Sequence, residues 1–64
     1  MTPAEIRSAR LALGLTQKQL ATLLGYSHHT QVSVIERGVA RPGAAVTLLL
    51  VAYLDGYRPA NWPE

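Results

Sequence analysis

Cysteine is absent from the 64 residues, which excludes disulfides and every thiolate metal site. Histidine is scarce too. His28 and His29 are adjacent, and neighbours in sequence do not share a helix face, so neither a metal site nor any cofactor is expected. Charge is thin, at 16% of residues, against about 25% in an ordinary domain. Its balance is a formal +2, which permits an anionic partner without requiring one. Aspartate occurs once, as Asp55 in the C-terminal region. No Ser/His/Asp arrangement can be drawn, and no enzymatic activity is expected. Long apolar runs are missing as well. The longest, Ala44–Leu54, has 11 residues including one Thr, whereas a bilayer span needs about 20. The opening segment MTPAEIRSAR is charged throughout and does not read as a signal peptide. A cytoplasmic protein without a membrane partner or an evident small-molecule ligand is the expectation, and the lack of cysteine agrees with it.

Aliphatic residues dominate what is present, with 48% of the chain hydrophobic. Such a chain is too apolar and too weakly charged to be disordered. Its length allows one domain. At this size about 60% of the unfolded surface is buried on folding. Small domains usually recruit a disulfide, a metal or a partner subunit. With the first two excluded, self-association is the staple to expect.

Helix punctuation recurs along the chain. Thr2-Pro3-Ala4-Glu5 is a capping box with Pro at the first helical position. Ile6, Ala9 and Leu13 follow at helical spacing, and Gly14 is the stop, so a first helix is expected over about 2–13. Thr16-Gln17-Lys18-Gln19 is a second capping box, flanked by a hydrophobic staple of Leu15 and Leu20. The second helix is expected over about 16–24, ending at Gly25. A third follows Tyr26-Ser27, with Ser27 or His29 as its cap, Val32 and Ile35 as its buried stripe and Gly38 as its end. Arg41-Pro42-Gly43 reads as a turn, and a fourth helix is expected over about 43–54. No segment alternates with period two. The expected fold is all-α: a four-helix domain over 1–56 and an extended tail over 57–64, whose two prolines forbid a helix.

The second and third helices are short and joined by a turn containing Gly25. Ala21 gives a small side chain where they cross. This is the spacing of a DNA-binding helix-turn-helix, whose second helix enters the major groove. Leu13-Gly14-Leu15-Thr16-Gln17, Leu20-Ala21, Leu24-Gly25 and Val32-Ser33-Val34-Ile35-Glu36-Arg37-Gly38 resemble the lambda-repressor-like (XRE) family over roughly residues 2–55. That family includes phage repressors and Cro proteins, antitoxins and small autoregulators. One departure is visible: the segment from Gly25 to Val32 is a residue longer than the commonest family spacing, as in a subfamily variant.

The resemblance implies a phosphate contact at Gln17, where free backbone N–H groups and the helix dipole favour an anion. Lys18, Arg37 and Arg41 are the other expected phosphate contacts. Base contacts are expected from His29, Thr30, Gln31, Ser33 and Val34 on the third helix. Gln31 is suited to bidentate binding of adenine N6 and N7, while Thr30 and Val34 suit a thymine methyl. Val34 lies about 200° around the helix from Val32, on a face expected to be wet. Arg10 and Glu36 match a family pair joining the first helix to the third, and charges at the margins of apolar stripes need partners.

The fourth helix is apolar on every face. Such a helix must be covered all round, which three short helices cannot do. A two-fold dimer is the expected solution, with Val46, Leu49, Leu50, Tyr53, Leu54, Tyr57 and Trp62 at its interface and the tail completing it. Dimerisation would set two reading helices about 34 Å apart for a palindromic double-stranded DNA operator. The expected function is a homodimeric transcriptional repressor of its own operon, acting by steric exclusion. The short chain favours a phage-type or anti-CRISPR-associated regulator over a toxin-wrapping antitoxin. The rival is a protein-interaction module or antitoxin that uses the fourth helix to bind a different protein, supported by the modest charge.

Overall fold

Two threonines start the first two helices. In the computed structural model, which describes residues 1–63, α1 spans Pro3–Ala12, α2 Gln17–Leu24, α3 Thr30–Glu36 and α4 Ala44–Leu54. No strand occurs among the described residues. The Thr2 hydroxyl accepts from the Glu5 N–H at 3.1 Å, and Glu5 accepts from the Thr2 N–H at 2.7 Å. These bonds hold the Glu5 carboxyl below its ordinary pKa, the backbone donor contributing most. Thr16 and Gln19 repeat the arrangement at 3.0 and 2.9 Å. Each box satisfies two donors that a helix start leaves orphaned.

The third helix starts differently. Neither Ser27 nor His29 accepts from a backbone N–H to cap it. His29 is already helical, at φ −63° and ψ −24°, and its side chain makes no cap bond. The Gln31 side chain instead reaches back, its Oε1 accepting from the His28 N–H at 3.1 Å. This is the return half of a capping box without the forward half.

At the corner between α2 and α3 the chain must reverse abruptly. Gly25 takes φ 80°, a left-handed conformation that costs side-chain-bearing residues about 1–2 kcal/mol. The Gly25 N–H donates to the Thr22 carbonyl and the Tyr26 N–H to the Ala21 carbonyl. Those two bonds close the last turn of α2 and aim the chain into α3.

The core is one cluster: Ile6, Leu15, Leu20, Ala21, Val32, Ile35, Val46, Leu50 and Tyr53. Five of its side chains, Tyr53, Ile6, Leu20, Leu50 and Val32, are fully enclosed, each stabilising the fold by about 1.5–3 kcal/mol. Ala21 is buried, as a close crossing of α2 and α3 requires. The stripe Val46, Leu50 and Tyr53 turns α4 onto this cluster.

That placement corrects the expectation for α4. Val46, Leu50 and Tyr53 are covered by their own chain and present no surface to a partner. The helix is not enclosed all round either. Leu48 is 70% exposed, Leu54 47% and Val51 44%. Leu48 and Val51 project from roughly the opposite side of α4, and sequence reasoning did not single them out.

After α4 the tail folds back onto its own helix. The Arg58 guanidinium donates to the carbonyls of Tyr53 (2.8 Å) and Tyr57 (2.9 Å). It also lies 4.1 Å from the centre of the Trp62 ring, in cation–π geometry. Trp62 meets Tyr53 edge-on with centroids 5.1 Å apart, and Tyr57 stacks on Tyr53 at 6.1 Å. Trp62 is thus engaged with its own chain, while Tyr57 stays exposed. Glu64, the last residue of the expected tail, lies outside the described residues.

Candidate nucleic-acid interface

One ion pair joins α1 to the end of α3. The Arg10 guanidinium donates through Nε to Glu36 at 2.6 Å and through a second nitrogen at 3.1 Å. Its remaining nitrogen donates to the Leu15 carbonyl at 3.0 Å. The two side chains are only 11% and 4% exposed. Fork-to-carboxylate bonding at both oxygens fixes angle as well as distance. Arg10 on α1 therefore holds the end of α3 and the α1–α2 loop together. Among the described residues this is the only ion pair.

Glu36 accepts from a third donor. The Gln17 amide donates to it at 3.3 Å. The first residue of α2 is thereby tied to the last of α3, so the two helices of the motif are locked at both ends. One amide hydrogen of Gln17 is spent in this bond and the other is left for a ligand. The backbone N–H groups of Gln17 and Lys18 belong to the first turn of α2, where no intrahelical acceptor exists. They border a groove of about 740 Å³ that runs from Gly14 past Gln17 and Lys18 to His29. The dipole of α2 adds partial positive charge at that end.

His29 borders this groove just before α3, and Thr30 and Gln31 open the helix, all three exposed. Ser33 is half-buried, and Arg37 is exposed at the far end of the helix. Arg41 follows in the loop, also exposed. Four of the expected contacts, Gln17, Lys18, His29 and Thr30, thus lie near the helix starts. Arg37 and Arg41 lie beyond the end of α3.

Val34 departs from expectation. It is half-buried rather than wet. The loop after α3 folds back over it, because the N–H groups of Val39 and Ala40 donate to the Val34 carbonyl at 2.9 and 3.2 Å. Val34 lines a cleft of about 170 Å³ with Tyr26, Gln31, Ile35, Ala40 and Arg41. Its apolar side chain is explained largely by this packing. Tyr26, half-buried, supports the same cleft from the turn.

Gln31 also differs. A carbonyl oxygen has two lone pairs. In Gln31 one faces the His28 N–H at 3.1 Å and the other the Ser27 hydroxyl at 3.4 Å. The bidentate grip on adenine expected of this residue needs that oxygen free. The spacing His28-x-x-Gln31 repeats Thr2-x-x-Glu5 and Thr16-x-x-Gln19, so the signal for a capping role was in the sequence.

A family model for helix-turn-helix domains matches residues 6–60. The chain belongs to the lambda-repressor-like helix-turn-helix family. No curated protein and no solved structure matches it. This helix-turn-helix protein is accordingly a DNA-binding regulator of transcription, in a family that is regulatory and not enzymatic. In helix-turn-helix motifs the first helix positions the second, and the second enters the major groove. Among the described residues, no helix is long and apolar enough to cross a membrane.

Proposed function

We propose that this protein is a homodimeric repressor that binds a palindromic operator and represses its own operon by excluding polymerase. α3 lies in the major groove with His29, Thr30, Gln31, Ser33 and Val34 towards the bases. Gln17, Lys18, Arg37 and Arg41 meet the flanking phosphates. The observation that supports this reading is that Gln17 and Lys18, at the start of α2, share a groove with His29, while Gln31 and Val34 of α3 share a cleft with Arg41. Phosphate donors thus flank base-reading side chains, the division of labour a sequence-specific binder needs.

Dimerisation is supported by the apolar residues that α4 leaves uncovered, Leu48, Val51 and Leu54. Solvent exposure of three large aliphatic side chains on one short helix marks an association surface. Doubling a small set of base contacts raises affinity through effective concentration.

Selection of bound duplexes from a random pool tests the proposal. The expected product is a two-fold symmetric site with half-sites about one helical turn apart. The complex on it should have the mass of two chains per duplex. An asymmetric site bound by one chain would refute the dimeric operator reading.

A further inference from the structure

We infer that Gln31 reads its base only as a hydrogen-bond donor, and so selects a base with a carbonyl in the major groove, guanine or thymine. The inference rests on the proposed entry of α3 into that groove. It starts from the orientation of the Gln31 amide. A backbone N–H can only donate, so the group facing the His28 N–H at 3.1 Å must be the amide oxygen. The Ser27 hydroxyl, at 3.4 Å, occupies the second lone pair. The Gln31 N–H donates in turn to the His28 carbonyl at 3.2 Å, so residues 28 and 31 are bonded in both directions. The side chain is fixed by the start of its own helix.

What remains available on the exposed Gln31 side chain is its NH₂ group, with two hydrogens and no acceptor. Guanine offers the acceptors O6 and N7, and thymine offers O4. Either satisfies the amide. Adenine offers N7 beside an N6 amino group, which would face the NH₂ donor to donor. Cytosine offers only its N4 amino group. The amide therefore favours the keto bases and penalises the amino bases. Because the side chain is already held, this preference needs no ordering on binding.

The test is base selection from a random duplex pool by the wild-type protein, Gln31→Glu and Gln31→Ala. Gln31→Glu keeps an oxygen for the His28 N–H and so keeps the start of α3, but it removes both donors. Wild type should show, in each half-site, one Gln31-dependent position occupied by guanine or thymine. In Gln31→Glu that preference should fall about tenfold and move to cytosine, whose N4 donates to a carboxylate. Gln31→Ala should lose the preference without acquiring a new one. A Gln31-dependent position that holds adenine or cytosine in wild type would overturn the inference. So would the absence of any position that responds to Gln31. Failure of wild type to retain any duplex would instead refute the DNA-binding reading on which the inference stands.

Discussion

Glu36→Ala is expected to cost about 3–5 kcal/mol, the penalty for leaving one partner of a buried ion pair without its counter-charge. A chain of 64 residues has a total stability of about 3–10 kcal/mol. The variant should therefore be largely unfolded at moderate temperature. The size of the effect follows from geometry: Arg10 keeps one bond to the Leu15 carbonyl but loses both carboxylate bonds while remaining buried. Gln17 loses its tether to α3 at the same time. Urea unfolding followed by helical circular dichroism measures the loss. Replacing both partners, as Arg10→Met with Glu36→Leu, should recover most of it, because no buried charge is left. A single-variant cost below about 1 kcal/mol would match an exposed pair and contradict this account of how α1 and α3 are joined.

The second large effect concerns the uncovered face of α4. Leu48→Glu combined with Val51→Glu should leave the monomer folded, because both side chains are exposed and surface substitutions usually shift stability by about 0.5 kcal/mol or less. It should abolish dimerisation and weaken operator binding by about 10²-fold or more, the advantage lost when two sites are no longer linked. Sedimentation and a binding titration read the two outcomes separately. Val46→Glu is the contrasting control. It places a carboxylate in the core and should unfold the chain. A double variant that still dimerises and binds would refute the α4 interface.

Most of the fold was legible because its signals are local. Thr2-x-x-Glu5 and Thr16-x-x-Gln19 specify two helix starts through bonds within four residues, and the stops at Gly14 and Gly25 are equally local. The inner face of α4 was not legible. Val46, Leu50 and Tyr53 are no more apolar than Leu48, Leu49 and Val51, so periodicity could not distinguish core from surface. Only packing against the other helices does so. Val34, expected on a wet face, is half-buried for a related reason. Its exposure depends on where residues 39 and 40 fold, a contact that helical phase alone does not contain. Gln31 has a second role that its spacing after His28 encodes, since that spacing repeats the two capping boxes. The residue type suggested a base contact and the spacing a cap, and the structure engages its oxygen as a cap.

The surface around α2 and α3 is proposed to bind DNA through phosphates and bases together. A salt titration of equilibrium binding on a selected duplex tests it most directly. Lys18, Arg37 and Arg41 from each of two protomers predict log K falling with log salt at a slope of about −5. Affinity should fall by roughly 10³-fold between 50 and 200 mM salt. Random duplex of equal length should bind far more weakly at every salt concentration. A flat salt dependence, or equal affinity for selected and random duplexes, would contradict the account.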